Sequence, residues 1–399
     1  MGIPIGKLAL YVAAGGIDPR KVLPVMLDLG TDNVALQSDP WYLGMNHPRL
    51  SGEAYFSMVH EFVKAVHHRW PTALIQFEDF SSDKAAPILE AYRHAHLSFN
   101  DDIQGTGAVT LGAVLAAVRA QSGGGGKLCD QRIVICGAGS AGMGVASSLS
   151  AAMVDREGIP STATGSRFWI LDKDGLIGLG RSPTAGNLGA LGYARKDMRD
   201  GAGLLEVVKA VKPTILLGFT GQGGVWTEAI IREMAAHTPR PIIFPLSNPT
   251  QNAECSAEEA YVWTEGRAVF GGGSPFAPVS LPGASGVTLT PTQINNMFVF
   301  PGIGLASQVV RPRRISNAML QAAAYAVAAQ VTPEDLARGL VCPRVRDIRE
   351  VSAHVAAAVA QQAISEGIAQ KIPPAGNLAR FMASQQYDPH YRSLYNDVY

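Results

Sequence analysis

Short apolar runs alternate with helix-like patterns along the first 250 residues of this 399-residue chain. Polar or turn-forming residues bound each run, and the stretches between them are amphipathic or rich in alanine. Six of the runs are interpreted as strands, at 22–27, 74–77, 132–136, 167–171, 214–218 and 241–246. Strands that alternate with helices predict an α/β fold with a parallel sheet.

The chain changes character after Pro301, where alanine-rich helical patterns replace the strands. A helix is predicted at 317–330, and Thr332 followed by Pro333 marks the start of another. We expect these C-terminal helices to pack on another domain. The last stretch, 373–399, is polar and contains proline and tyrosine, which predicts an irregular tail on the surface.

A glycine-rich motif, Gly-Ala-Gly-Ser-Ala-Gly at 137–142, directly follows the predicted strand at 132–136 and opens a helical pattern. Backbone amides and the helix N-terminus can then face a pyrophosphate, because glycines have no Cβ to block it. The next strand, 168–171, ends in Asp172, which can accept hydrogen bonds from an adenosine ribose and would repel a 2′-phosphate. The pattern predicts an NAD site, with NADP as the alternative if Lys173 offsets that carboxylate. A glycine turn made only for packing is the competing interpretation.

Two acidic clusters also follow predicted strands. Glu78 and Asp79 follow one apolar run, and Asp101 and Asp102 follow a second run at 95–99. The carboxyl ends of strands form the edge where open α/β sheets bind ligands. Carboxylates gathered there repel one another unless a proton or a cation neutralises them, and such oxygen donors suit Mg²⁺ or Mn²⁺. We therefore predict a divalent-metal site, with turns or helix N-caps as the alternative.

Composition narrows the class of function. Lysine plus arginine equals aspartate plus glutamate, 33 each, so the net charge is zero and no nucleic-acid partner is expected. The four cysteines have no CxxC spacing, which argues against a zinc site and fits a reducing cytoplasm. Apolar runs such as 351–363 are shorter than the roughly 20 residues of a membrane span, and the N-terminus lacks the order of a signal peptide. We expect a cytoplasmic protein without a membrane partner.

Three other features have ordinary structural explanations. His94 and His96 would share one face of a strand, but no third nitrogen or sulfur ligand is evident, so we interpret them as solvated or packed side chains. Lys7 lies beside a glycine and, from local sequence alone, would cap a turn or extend to the surface. The four glycines at 123–126 follow a predicted helix at 110–120 and are interpreted as a flexible connector.

Seven motifs make the chain resemble the malic enzymes, which are decarboxylating malate dehydrogenases. They are GIPIGKL at 2–8, LIQFEDF at 74–80, FNDDIQGT at 99–106, the glycine loop at 137–142, LSNPT at 246–250, GSPF at 273–276, and the asparagine pair at 295–296 followed by FPG at 300–302. The resemblance implies a Rossmann-type dinucleotide-binding domain and a second α/β domain with a parallel sheet and C-terminal helices. We expect the dinucleotide domain at 101–295, the second domain at 1–100 and 296–367, and a C-terminal tail at 368–399.

The resemblance also implies roles for individual residues. Lys7 matches the family's general base, and Asp101 matches the carboxylate that accompanies it. Three residues match metal ligands: Glu78, Asp79 and Asp102. The positions that match cofactor contacts, in addition to the Asp172 predicted above, are Thr106, Gly137, Gly139, Ser140, Ala141, Gly142, Asn248 and Asn296. Asn248 and Asn295 match substrate contacts. The implied reaction is the oxidative decarboxylation of (S)-malate to pyruvate and CO₂, with NAD reduced and Mg²⁺ or Mn²⁺ bound.

One departure from the family pattern limits this expectation. Malic enzymes carry a further region before the 2–8 motif, with a tyrosine general acid and an arginine that binds a malate carboxylate. Tyr11 lies one helical turn after Lys7 but in a different motif, so it is not assigned the missing role. We expect a truncated chain that binds dinucleotide and metal but decarboxylates malate poorly, and the family's homo-oligomeric assembly is left open for it. Two alternatives remain: a dinucleotide-binding remnant without catalysis, and a metal-free dehydrogenase of an amino or hydroxy acid.

Overall fold

The structure, a computed structural model, describes residues 2–184, 187–281 and 288–390. Its strands are β1 (Ile75–Phe77), β2 (Ser98–Asn100), β3 (Ile133–Cys136), β4 (Phe168–Asp172), β5 (Gly175–Leu176), β6 (Ile215–Gly218), β7 (Ile242–Pro245), β8 (Val269–Gly272), β9 (Val279–Ser280), β10 (Thr288–Leu289) and β11 (Thr292–Gln293). Its α-helices are α1 (Gly2–Ala13), α2 (Val34–Ser38), α3 (Gly52–Arg69), α4 (Ser82–Tyr92), α5 (Thr106–Ser122), α6 (Ser140–Glu157), α7 (Ser161–Thr164), α8 (Leu204–Val211), α9 (Glu228–His237), α10 (Ala257–Trp263), α11 (Phe300–Val310), α12 (Asn317–Ala329), α13 (Pro333–Ala337), α14 (Ile348–Ser365) and α15 (Leu378–Ser384).

Seven strands form the main sheet, in the order β11-β8-β7-β6-β3-β4-β5. All neighbouring strands are parallel except β4 and β5. β3, β6 and β7 are buried along their whole length, as expected for parallel strands with both faces covered. The α/β fold class is confirmed, and the strands predicted at 132–136, 167–171, 214–218 and 241–246 form within one residue of those bounds.

β1 and β2 form a separate two-stranded parallel sheet, with Ile75 opposite Ser98 and Phe77 opposite Asn100. Its buried side chains make their own core with apolar side chains from α3 and α4. Because the register is level, the residues that follow the two strands leave the sheet side by side at its carboxyl edge. This register places the two acidic clusters next to each other.

The helices predicted after residue 301 are present. α11, α12 and α14 bury their side chains in the same core as α5 and the main sheet. The hydroxyl of Thr332 caps α13 by accepting the Asp335 N–H, and Pro333 is the first residue of that helix.

The helical stretch Asp101–Ser122 is long and apolar enough to cross a membrane, but 78% of its most apolar window is buried inside the protein.

Two predictions about irregular and extended segments are wrong. The apolar run at 22–27 forms no strand, and Leu23 on it is 65% exposed. Without a neighbouring strand, nothing there would satisfy the backbone groups of a strand. The predicted irregular tail at 373–399 contains α15, which buries Met382; residues 391–399 of that tail lie outside the described part of the chain.

The two neighbouring histidines lie in a turn rather than in a strand, because β2 begins at Ser98 and not at residue 95. His94 is exposed to solvent. His96 stacks on His67, with ring centroids 4.8 Å apart. Their interpretation as solvated or packed side chains is confirmed, whereas their placement on one strand face is wrong.

Candidate active site

The structure joins Lys7 to both acidic clusters. Its ammonium nitrogen, on α1, lies 2.5 Å from Asp101 Oδ2 and 3.0 Å from Glu78 Oε1. The same nitrogen lies 4.8 Å from the centre of the Phe300 ring, at the start of α11. Residues from three distant parts of the sequence therefore meet at the carboxyl edge of the small sheet.

Burial and neighbouring charges together shift the pKa values of this cluster. Burial disfavours the charged ammonium of Lys7, but Asp101 and Glu78 outweigh burial and raise its pKa to about 12. Burial, with Asp101 and then Asp102, raises the pKa of Glu78 to about 8 although Lys7 opposes the shift. Burial and Asp101 likewise raise the pKa of Asp102. Lys7 alone does not offset the carboxylates, and this excess of buried negative charge fits a bound cation.

The three predicted metal ligands are neighbours but do not converge on one point. The Asp79 N–H donates to Asp102 Oδ2 at 2.7 Å, and Asp79 itself is exposed, with a φ of 63° in the left-handed region. Within residues 2–184, 187–281 and 288–390, no three His, Cys, Asp or Glu side chains are grouped so that they could hold a metal ion. The charge of the cluster therefore suits a metal, whereas a three-carboxylate centre is not preformed.

Tyr11 belongs to this site although sequence reasoning set it aside. Its hydroxyl donates to Gln76 Oε1, and the Gln76 side-chain amide donates to Glu78 Oε2 at 3.0 Å. The ring packs edge-on against Phe300. Burial, followed by Asp101 and Glu78, raises the pKa of Tyr11 well above its ordinary value. The spacing of four residues from Lys7, which puts both side chains on one helix face, was the available signal.

A π-helical segment, Asp101–Gly105, turns the second acidic cluster into α5. A Cβ on Gly105 would lie 1.8 Å from Asp101 Oδ1, so only glycine allows the carboxylate to fold back over this turn. The Asn296 side-chain amide donates to the Asp101 carbonyl at 3.0 Å and to Thr106 Oγ1 at 3.2 Å. Two predicted cofactor contacts are thereby brought together, while the Asn295 side chain caps the next turn by accepting the Met297 N–H.

The glycine loop requires glycine at two positions and leaves its backbone open at a third. Gly137 has a φ of 118°, and a Cβ there would lie 2.3 Å from the Phe219 carbonyl oxygen. A Cβ on Gly142 would lie 2.0 Å from the Gly137 carbonyl oxygen, so this glycine allows close packing of the turn against α6. By contrast, a Cβ on Gly139 would meet nothing closer than 3.7 Å, which leaves the backbone open on that side. Ser140 and Ala141 begin α6, whose N-terminus faces the loop.

Asp172 ends β4 as predicted, but an arginine already binds its carboxylate. Arg181 Nη1 lies 2.6 Å from both Asp172 oxygens, and the Asp174 N–H donates to one of them at 2.8 Å. Arg181 also donates through Nε to Asp200 at 2.9 Å. Both members of the pair are largely buried, with Arg181 10% and Asp172 15% exposed. The negative charge of Asp172 is therefore largely compensated.

A buried glutamate shapes the loops that follow β6 and β7. Glu254 is 0% exposed and accepts hydrogen bonds from the Thr220 N–H and hydroxyl and from the Ser247 hydroxyl. Next to it, Asn248 Oδ1 accepts the Ser274 hydroxyl at 2.7 Å. Glu254 escaped sequence reasoning because no spacing distinguishes one glutamate from a surface residue. Its hydrogen bonds hold the loop that carries Asn248.

Comparison with known protein families covers nearly the whole chain. The N-terminal domain of malic enzymes matches residues 1–93, and the NAD-binding domain of malic enzymes matches residues 103–364. The NADP-dependent malic enzyme of Dictyostelium discoideum is 42% identical over 392 residues, which cover 98% of this chain and 70% of the relative. The mitochondrial 59 kDa isoform of the NAD-dependent malic enzyme of Solanum tuberosum is 46% identical over 378 residues, covering 93% of this chain and 62% of the relative.

Solved structures agree on the fold. The malic enzyme of Entamoeba histolytica superposes with a TM-score of 0.71 at 23% identity and covers 96% of this chain and 67% of its own. The malic enzyme of Pyrococcus horikoshii superposes with a TM-score of 0.69 at 26% identity, and the match covers 96% of this chain and 75% of that chain. The chain spans 62–70% of the two curated relatives above. Matches to both domains of one family, with identities of 42% and 46% to its members, show that this protein belongs to the malic enzyme family.

Proposed function

We propose that this protein oxidises and decarboxylates (S)-malate to pyruvate and CO₂ and reduces a nicotinamide dinucleotide. The observation that carries the proposal is the contact of Lys7 with Asp101 and Glu78 at the edge of the small sheet. A half-buried lysine held by carboxylates at such an edge is a candidate for proton transfer. The protein belongs to a family that contains both NAD- and NADP-dependent malic enzymes, which supports this reaction.

The chain's own residues can be assigned to steps. Lys7 accepts the proton of the malate C2 hydroxyl while hydride leaves C2 for the dinucleotide, and Asp101 holds the lysine in position. Asn248 and Asn295 bind substrate, and the loop at 137–142 binds the pyrophosphate. A divalent ion held by Glu78, Asp79 and Asp102 would offset the charge that keeps Lys7 protonated and polarise the C2 oxygen.

A malate assay with the purified chain tests this function. We expect malate-dependent reduction of NAD or NADP in Mn²⁺ or Mg²⁺, with pyruvate and CO₂ formed in equal amounts and activity abolished by a chelator. Activity that survives chelation would instead support a metal-free dehydrogenase. Binding of NADH without turnover would instead support a dinucleotide-binding remnant without catalysis.

We propose that the protein prefers NAD but discriminates weakly, because Arg181 compensates the carboxylate that would repel a 2′-phosphate. Replacing Arg181 with glutamine leaves Asp172 with uncompensated charge. The ratio of kcat/KM for NAD to that for NADP should then rise about tenfold, the scale of one charged hydrogen bond. Arg199→Gln removes an arginine that is 64% exposed and should leave the ratio unchanged. An unaltered ratio in Arg181→Gln would show that Asp172 does not face the ribose.

The domain bounds 1–100 with 296–367, 101–295 and 368–399 stay a prediction, as do homo-oligomeric assembly and a cytoplasmic location. The small sheet has a core of its own, whereas the C-terminal helices share a core with the main sheet. Limited proteolysis of the purified protein locates the exposed linkers between such units.

A further inference from the structure

A polar cavity of about 170 Å³ lies at the opposite end of the small sheet from the acidic clusters. Thr72 lies three residues before β1, and His96 lies two residues before β2. His67, Arg313 and Gln370 supply its other polar walls. Each strand is three residues long, so the cavity and the acidic edge are separated by about 10 Å of strand.

The polar lining of this cavity is basic. No aspartate or glutamate of the described part of the chain lines it. Arg313 is exposed, and no salt bridge within the described ranges includes it. Its backbone N–H is bound to the Ile368 carbonyl, which fixes the start of the side chain beside the cavity. An unpaired guanidinium with no carboxylate beside it is typical of anion recognition.

A histidine pair forms the second basic element. The rings of His67 and His96 stack at 4.8 Å and 12°, and their Nδ1 atoms lie 3.0 Å apart. His67 Nε2 lies 3.3 Å from the Ala73 carbonyl, so it carries the proton and its Nδ1 accepts from His96. His96 Nε2 is then left without a partner among the described residues.

The surroundings of His96 disfavour its protonation. Burial, then His67 and His60, lower the pKa of His96. Tyr92, from α4, is a further titratable group in contact: its ring lies edge-on to His96, and its hydroxyl contacts His60. Neither the cavity lining nor the groups that shift the pKa of His96 include a carboxylate among the described residues, so a second proton has no countercharge there. A dianion in the cavity would provide one.

We propose that this cavity binds a tetrahedral dianion, a phosphate group or sulfate, between Arg313 and the His67–His96 pair. The cavity volume suits one such group rather than a whole nucleotide. Thr72 and Gln370 add a hydroxyl and an amide that can donate to the remaining oxygens. Binding of the dianion and uptake of a proton by His96 then favour each other.

Equilibrium dialysis of the full chain with radiolabelled sulfate tests the proposal, with saturating NADH present to occupy the glycine loop. Sulfate keeps its charge between pH 6 and pH 8, so a change in its affinity reports on the protein. We expect one saturable site that binds about threefold or more tightly at pH 6, and a similar loss of affinity in His96→Gln and in Arg313→Gln. Arg338→Gln, which removes an exposed arginine elsewhere, should bind like wild type.

Competition identifies the natural source of the anion. Displacement by inorganic phosphate and by glycerol phosphate alike indicates a site open to phosphate esters, whereas displacement by inorganic phosphate alone indicates the free ion. Either result supports the site. Absence of saturable binding, or equal affinity in wild type, His96→Gln and Arg313→Gln, would overturn it.

Discussion

Replacing Lys7 with methionine is expected to lower kcat/KM for malate oxidation by about 10²–10⁴-fold, the usual contribution of a positioned acid or base. Methionine keeps an unbranched apolar stem for packing near Phe300 but removes the ammonium that contacts Asp101 and Glu78. Dinucleotide affinity should change little, because the glycine loop lies on another part of the chain. Steady-state assays give the first quantity, and titration of NADH fluorescence gives the second.

Lys64→Met is the matched control for this substitution. Lys64 is 57% exposed and makes one surface ion pair with Glu61, so its loss should leave the rate near that of wild type. If Lys7→Met and Lys64→Met oxidise malate equally fast, another group removes the hydroxyl proton. If Lys7→Met loses NADH binding together with activity, the defect lies in folding rather than in proton transfer.

The main sheet was predictable because its signal is local. β3, β6 and β7 are short apolar runs bounded by turns, and each is buried on both faces. β8 gave a weaker signal, since two of its four residues are glycines, which have low strand propensity. The run at 22–27 gave a false signal, because an apolar run becomes a strand only where a neighbour can pair with it.

The site residues could be predicted only where they lie in a recognisable sequence motif. Lys7 and Asp101 were placed by their resemblance to a family, and the structure brings them into contact across 94 positions. The compensation of Asp172 by Arg181 depends on how a turn after β4 folds back, which no periodicity encodes. The buried contacts of Tyr11 likewise depend on α1 packing against α11. Contacts between distant segments were therefore the part that the sequence could not supply.

The raised pKa of Glu78 leads to a second large effect. A rise in pH should lower the stability of the metal-free protein but raise its affinity for a metal ion. Its pKa is raised from 4.5 to about 8, so between these values the folded protein holds a proton that the unfolded chain has lost. The stabilising contribution is complete below pH 4.5 and is lost as the pH rises through about 8. The metal-free protein should therefore lose stability from pH 5 to pH 8, by an amount on the order of a few kcal/mol.

Glu78→Gln should remove most of the dependence of stability on pH. Glutamine resembles the protonated carboxyl in shape and carries no charge, so the metal-free variant should be more stable than wild type at pH 8 and similar to it at pH 5. The same change removes a proposed metal ligand, and affinity for Mn²⁺ should fall by about 100-fold. In wild type that affinity should rise with pH, since binding must displace the proton.

Urea denaturation with a chelator present, at pH 5 and pH 8, measures the first effect, and titration with Mn²⁺ followed by electron paramagnetic resonance measures the second. Glu61→Gln, at a position 68% exposed, removes the same charge from the surface and should change neither quantity. If Glu78→Gln is less stable than wild type at pH 8, the ion pair of Glu78 with Lys7 stabilises the protein by more than burial of the Glu78 charge destabilises it. A variant that binds Mn²⁺ like wild type would exclude Glu78 from the metal site, because a lost carboxylate ligand cannot leave affinity unchanged.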